Sequence, residues 1–441
     1  MKGLLKFLFL LSLLTLVMCQ ADESYRQRVA DPTYLDSTLS KLTDIIVYDI
    51  FSPPVASRIY AYSSIAGYET LRHGHPDYPT LAGKVSELTV IPPSSSALVN
   101  YDIAGVYAFA YVGRTLIFSE PQMDEYLERL SEKYKDSGVP QKVLEASMQY
   151  GMEAKNHIME WAKNDHYGET RTFPKFDIRD EEGRWLPTPP DYMEGIEPHW
   201  RQIRTLLIDS AQQFTPPVPS KFDIKEGSPF YKEVMQVYET GKTLDEEKTG
   251  IAQFWDCNPY VSHHTGHVMF ATKKITPGGH WMGIAQLATK IDSADIMKTA
   301  KTYAYTSMAL FDAFISSWDE KYRSNLIRPE TVINKYIDEN WTPLLQTPPF
   351  PEYTSGHSVI SSAAAVALTS IYGDHFKFDD TVEMAYGLPM RSFNSFLEAS
   401  SEAAISRLYG GIHYMPAIEN GVAQGRKLGA FVVEKLKGGN G

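Results

Sequence analysis

Cysteine is nearly absent: Cys19 and Cys257 are the two in 441 residues. A mature chain anchored through Cys19 would have no internal disulfide, so its fold must be held by a packed core even in an oxidising compartment. Cys257 by itself reads as a buried small side chain. Positive charge is also in deficit. With 42 Lys and Arg against 54 Asp and Glu, the formal net charge is -12, and a broad surface for nucleic acid or anionic membrane is excluded because a phosphate polymer is repelled on average. Internal repeats, low-complexity tracts and long alternating strand patterns are missing as well. What remains, 43% hydrophobic and 22% charged residues, is the composition of an ordinary globular protein.

The chain opens on a leader. Met1-Lys2 precedes an apolar run from Leu4 to Met18 in which Lys6 is the only charge, a pattern that fits a secretory signal over residues 1–19 better than a spanning helix. The end of the run, Leu16-Val17-Met18-Cys19, resembles a bacterial lipoprotein box, with Met18 larger than the small residue usual before the modified cysteine. Export to the periplasm or cell envelope is expected, with a membrane tether through a lipidated Cys19 as one outcome.

Helical spacing of apolar residues predicts helices over Ser57–Leu71, Asp102–Ile117 and Pro140–Trp161. The Pro-rich, aromatic stretch Arg171–Pro217 cannot be regular helix and is expected to wrap the surface or line a mouth. Further helices are predicted at Pro229–Glu239, Trp281–Asp319, Ser358–Tyr372, Phe393–Tyr409 and Asn420–Lys437. No composition break divides the chain. A single, mainly α domain over residues 20–441 follows, a helical bundle with little or no sheet.

Three segments of the last third carry chemistry. Lys321 and Arg328 are seven residues apart, which on a helix places both on one face, and Pro329 discourages helix at Arg328 and so fixes the pair at a helix end. Thr354-Ser355-Gly356-His357 immediately precedes an apolar helix, whose N-terminus offers free N–H groups to an oxyanion; Gly356 leaves the backbone open and Ser355 adds a hydroxyl. Arg407 ends a helix that Gly410-Gly411 should stop, so that His413 in the following loop can turn back toward it. Together they supply cations, donors and imidazoles for one tetrahedral oxyanion.

In that order, Lys-x6-Arg-Pro, Ser-Gly-His and Ser406-Arg407-x5-His413 resemble the signature shared by vanadium-dependent haloperoxidases and type 2 phosphatidic acid phosphatases, over about residues 254–430. The resemblance implies a helical bundle of that type and a vanadate cofactor, or none in a phosphatase. It implies that Lys321, Arg328 and Arg407 neutralise the oxyanion, and that Ser355 and the Gly356 amide donate to it. His413 would bind vanadium axially, or attack phosphorus in a phosphatase, with His357 as acid/base partner. Acid phosphatases of the group orient the histidine with an Asp four residues on, where this chain has Ala417, with Glu419 two residues late; an unoriented nucleophile is a poor one.

Aromatic residues point the same way. Phe254-Trp255-Asp256-Cys257-Asn258-Pro259-Tyr260 resembles a segment that reaches the site in bacterial iodide-oxidising haloperoxidases, and Phe350 and Tyr353 lead into the Ser-Gly-His segment. A pocket rimmed by Tyr260, Phe350 and Tyr353 suits a large polarizable halide, and Asp256 is expected to pair with Arg407. His263 and His267 are spaced for zinc only if their segment is helical, which Gly266 and Asn258-Pro259 oppose. The leading expectation is an exported haloperoxidase that oxidises iodide or bromide with hydrogen peroxide. A phosphomonoester hydrolase with His413 as nucleophile and a non-catalytic anion-binding envelope lipoprotein are the alternatives.

Overall fold

The computed structural model describes residues 24–265, 268–271 and 273–438; residues 1–23 with Cys19, and also His267, lie outside them. Seven helices open the described chain: α1 (Tyr25–Val29), α2 (Thr33–Tyr48), α3 (Pro53–Leu71), α4 (Tyr101–Leu116), α5 (Glu120–Asp136), α6 (Gln141–Ala162) and the single turn α7 (Tyr167–Thr170). After an irregular stretch come α8 (Pro229–Lys242), α9 (Glu246–Phe254), the hairpin β1 (Ser262–Thr265) and β2 (Val268–Ala271), α10 (Pro277–Ile291), α11 (Ile296–Ser324) and α12 (Pro329–Tyr336). The rest is α13 (Gly356–Tyr372), the hairpin β3 (Phe378–Asp380) and β4 (Arg391–Phe393), α14 (Phe396–Tyr409) and α15 (Met415–Lys437).

Many helix starts are fixed locally. The side chains of Ser52, Asn100, Ser228, Asp245, Thr276, Asp295, Ser355 and Ser395 accept hydrogen bonds from N–H groups of the turns they open, satisfying donors that have no partner inside a helix. Pro53, Pro229 and Pro277 stand at the first helical position, where their missing N–H removes no bond. The apolar run from Trp281 to Asp319, expected as one helix, is two. Ser293 adopts a left-handed φ of 54° and Asp295 caps the start of α11, so chain reversal wins over the continuous apolar pattern.

Helix α11 is the axis of the fold. It is buried on almost every face from Ile296 to Lys321, against α3 on one side and α13 on the other, while α13 packs on α14 and α15. A helix apolar all round belongs in the middle of a core. The close approach of α13 and α15 rests on glycine: a Cβ at Gly425 would lie 2.1 Å from the Val359 carbonyl oxygen, well inside van der Waals contact.

The Pro-rich stretch does wrap the bundle, burying Trp185 and Trp200, but none of its residues lines the catalytic cavity described below. Its anchor is Asp312, fully buried in α11, whose carboxylate accepts the N–H groups of Leu206, Leu207 and Ile208 at 2.8, 2.8 and 3.0 Å. Asn offers one oxygen and an NH2 in place of two oxygens. Asp312→Asn therefore leaves at least one buried donor unpaired, at about 1–3 kcal/mol each, and chemical denaturation should show a loss of that size with the wrap loosened toward protease.

Candidate active site

Lys321 lies in the last turn of α11, and the helix stops at Ser324 because Asn325 takes a left-handed conformation. Arg328 is therefore not on the same helix. It is extended, with φ -78° and ψ 151°, and Pro329 opens α12 directly after it. The one-face spacing is overturned, yet the two cations still converge because the chain reverses between them.

Both are pinned by backbone oxygens. The Lys321 ammonium donates to the carbonyls of Pro351, Glu352 and Thr354, while Arg328 donates to those of Phe350 (2.9 Å) and Ile412 (2.8 Å). Both charges lie over one ring, 5.0 and 5.1 Å from the Phe350 centroid. Arg407, in the last turn of α14, donates to the Trp255 carbonyl at 2.8 Å and to its neighbour Ser406 at 3.0 Å. All three cations are essentially inaccessible, at 0%, 0% and 1% exposure. Burial pulls each pKa down: Lys321 well below its ordinary value with Arg328 adding to the effect, Arg328 to about 10, and Arg407 less far, with Asp256 opposing.

Gly410 and Gly411 end α14, and Gly411 adopts φ 76°, where only glycine is relaxed. His413 turns inward from this break. Its Nε2 is 3.2 Å from Arg328 Nη1 and its Nδ1 is 2.8 Å from Glu352 Oε1, which also accepts the Tyr414 N–H at 3.0 Å. An oxygen that accepts from Tyr414 accepts from Nδ1–H too, so the hydrogen sits on Nδ1, and the Nε2 lone pair accepts from Arg328 Nη1–H. Burial, then Arg328, Lys321 and Arg407, hold the pKa of His413 well below 6.5, and the ring is neutral. Burial and then Arg407 do the same for His357.

Glu352 is the functional residue that spacing did not find. With Ala417 in place of an orienting Asp, no carboxylate was expected at His413, and that expectation fails. The carboxylate comes from the loop before α13 instead of from the turn after the histidine, so the absence of Asp does not separate a peroxidase from a phosphatase. A fully buried Glu352 between Phe350-Pro351 and Tyr353 was the available signal, because an acid in an apolar, aromatic segment needs a partner.

Ser355 caps α13 by accepting from the Ser358 N–H at 3.3 Å, and the N–H groups of Gly356 and His357 lie in the first turn, without intrahelical acceptors. A Cβ on Gly356 would meet nothing closer than 3.6 Å, so packing does not require this glycine; it leaves the cavity side of the turn open. The cavity has about 30 Å³ of free volume, against the roughly 10–15 Å³ that one water needs. Gly356, His357, Arg407 and His413 line it together with Tyr260, Phe350, Phe314, Trp318 and Ile360.

Two further expectations are corrected. Asp256 pairs with Lys274 rather than Arg407, which meets the backbone oxygen of Trp255 before it reaches any carboxylate. Tyr353 does not rim the cavity; it is buried with Phe230, Ala404 and Tyr414 in a second core cluster, its hydroxyl donating to the Pro217 carbonyl. His263 and His264 lie on a hairpin strand, His263 opposite Phe270, in agreement with the reading that their segment is not helical; His267 is outside the described residues.

The site fits a tetrahedral oxyanion such as vanadate on its own chemistry. The three buried cations donate to backbone oxygens, which do not cancel their charge, leaving positive charge that an anion would balance. His357 lines the cavity and its Nε2 is buried with no hydrogen-bond partner, so a bound oxyanion or its protonated oxygen would satisfy it.

Comparison with known proteins agrees. The family profile described as the VCPO second helical-bundle domain matches residues 301–439. A solved bacterial vanadium-dependent iodoperoxidase is 51% identical, over 92% of this chain and 97% of its own, with a TM-score of 0.88. The holo and apo forms of a bacterial vanadium-dependent chloroperoxidase share the fold at TM-scores of 0.67 and 0.66 with 17% and 16% identity, each over 88% of this chain and over 93% and 94% of their own. Curated protein sequences give no match.

The placement of Glu352 predicts a pH effect. Burial raises its pKa to about 7 against the pull of Arg328 and Lys321. The native state thus holds a proton that the unfolded chain releases near the ordinary Glu value, and this contribution to stability, full at lower pH, is lost as pH rises through about 7. Measured without vanadate from about pH 5 to about pH 8, the stability of wild type relative to Glu352→Gln should fall by on the order of 3 kcal/mol. A difference independent of pH would contradict it.

Proposed function

The chain belongs to the vanadium-dependent haloperoxidase family, and we propose that it oxidises iodide with hydrogen peroxide: iodide, peroxide and a proton give hypoiodous acid and water. The observation that carries this reading is the buried excess of cations around a neutral His413 whose unprotonated Nε2 points at Arg328. Lys321, Arg328, Ser355, Gly356 and Arg407 would hold the oxygens of vanadate, and His413 Nε2 would bond the metal. Vanadate, when bound, supplies a Lewis acid that draws electron density from peroxide oxygen so that halide can attack it.

The chain's own groups do the rest. Glu352 fixes the ring and tautomer of His413, as a carboxylate behind a ligating imidazole does. The carbonyls around Lys321 and Arg328 set both cations in place before any ligand arrives, so little reorganisation is needed. His357, held neutral, is able to accept at Nε2 the proton that peroxide gives up on binding, and to return it to the departing water. Tyr260, Phe350, Phe314 and Trp318 keep bulk water out. Iodide, the large and weakly hydrated halide, loses least on entering such a pocket.

The apolar leader supports export, with Cys19 as the point of lipid attachment; mass spectrometry of a mature chain with an unmodified Cys19 would set the tether aside. For the activity, the purified protein is stripped of metal and assayed for iodide oxidation before and after orthovanadate, beside hydrolysis of a generic phosphomonoester. Activation of iodide oxidation by vanadate is expected; phosphate release that vanadate inhibits would reverse the assignment. His413→Ala should lower turnover by more than about 100-fold and Glu352→Ala by about 10–100-fold, the range for removing a partner behind a metal ligand. A chain that merely binds the anion would tolerate His413→Ala with a modest loss of oxyanion affinity.

A further inference from the structure

Beside the catalytic cavity lies a second cluster that the peroxidase chemistry does not use. Cys257 follows α9, His280 is in the first turn of α10, and Asp380 and Glu383 belong to β3 and the turn after it. All four are buried, at 1%, 0%, 0% and 5% exposure. Cys257 Sγ is 3.4 Å from His280 Nδ1 and 3.5 Å from Glu383 Oε1, and His280 Nδ1 is 3.0 Å from the same oxygen. On its other side His280 Nε2 meets Asp380 Oδ2 at 2.8 Å.

We propose that Cys257, His280 and Glu383 form a zinc site that braces the wall of the catalytic cavity. The spacing supports it. Zinc bonds of about 2.3 Å to sulfur and about 2.0–2.2 Å to nitrogen and oxygen, at tetrahedral angles, put ligand atoms roughly 3.4–3.6 Å apart. Two of the three observed separations match, and the third opens by a few tenths of an ångström. Asp380 accepts from the far ring nitrogen, the carboxylate–histidine arrangement that orients a zinc-bound imidazole. Sulfur, nitrogen and oxygen together select a borderline-soft ion over calcium or magnesium. Zinc, having no redox chemistry, also tolerates a peroxide substrate.

Charge balances too. Without a metal, His280 faces a carboxylate at each nitrogen and so carries two ring protons, and the cluster of imidazolium, Asp380, Glu383 and the Cys257 thiol sums to -1. When zinc binds, the thiol proton and the Nδ1 proton leave, Nε2–H stays on Asp380, and the sum is again -1. Burial therefore does not oppose the exchange. Access comes from a separate cavity of about 440 Å³ lined by Asp256, Glu383, Tyr386 and Gln253 among others.

The site would act by position. Trp255 stacks on His280 with ring centroids 4.7 Å apart, and its carbonyl holds Arg407, so a metal here fixes residues 255–257 against the oxyanion cradle. Tag-free protein is incubated with zinc, passed through gel filtration, and its zinc and vanadium counted separately. About one zinc per chain is expected in wild type, and at least a tenfold loss in Cys257→Ser and Glu383→Gln, with folding checked by circular dichroism. Wild-type protein that folds without stoichiometric zinc overturns the proposal, as do folded variants that retain it. Should the variants not fold, cobalt in wild type decides: a thiolate-to-cobalt charge-transfer band supports the site, and its absence refutes it.

Discussion

Burying three cations around one histidine is the constraint on which this protein is built. Lys321, Arg328 and Arg407 would each prefer water, and what keeps them inside is a shell of backbone carbonyls plus the carboxylate of Glu352. Carbonyl oxygens hold a cation without cancelling its charge. The site therefore keeps a net attraction for an anion, where a full set of carboxylates would have removed it. Glu352 is the exception: its single oxygen shared by His413 and Tyr414 fixes the direction of an imidazole that burial and the cations keep neutral, and the carboxyl offsets some of the charge.

Such carbonyls must come from non-helical backbone, because those inside helices are already bonded. The segments that supply them are 348–354 before α13, 410–414 between α14 and α15, and the end of α9. These loops need a rigid support, which the buried α11 and its contacts with α3 and α13 provide. Asp312, the caps and the glycine-mediated contact of α13 with α15 are in this sense parts of the site, since they hold the loops at hydrogen-bond distance from the cations.

Local signals made much of this legible. Apolar periodicity located α3, α4, α6, α8, α13, α14 and α15 to within a few residues of their ends, α15 starting five residues earlier than expected. It missed α1, α2, α5, α7, α9 and α12, and it merged α10 with α11, because periodicity does not register a reversal of four residues inside an apolar stretch. The cradle residues were legible because helix termini, prolines and glycines punctuate the chain around each of them. Asp256 and Tyr353 were misplaced for the opposite reason: side-chain direction at the end of a loop is set by whichever partner tertiary packing delivers, here Lys274 and the Phe230 cluster.

Sequence alone determined the helical class, the identity of the cations and histidines, and the family, since these follow from residue types in a fixed order around helix ends. Tertiary structure decided which carboxylate serves His413, that Lys321 and Arg328 meet over the same Phe350 ring, and what lines the cavity. Contacts between residues 61 or more positions apart, such as Glu352 with His413 and Arg328 with Ile412, leave no trace in local spacing. They exist only once α11 has brought the loops before α13 and before α15 to the same point.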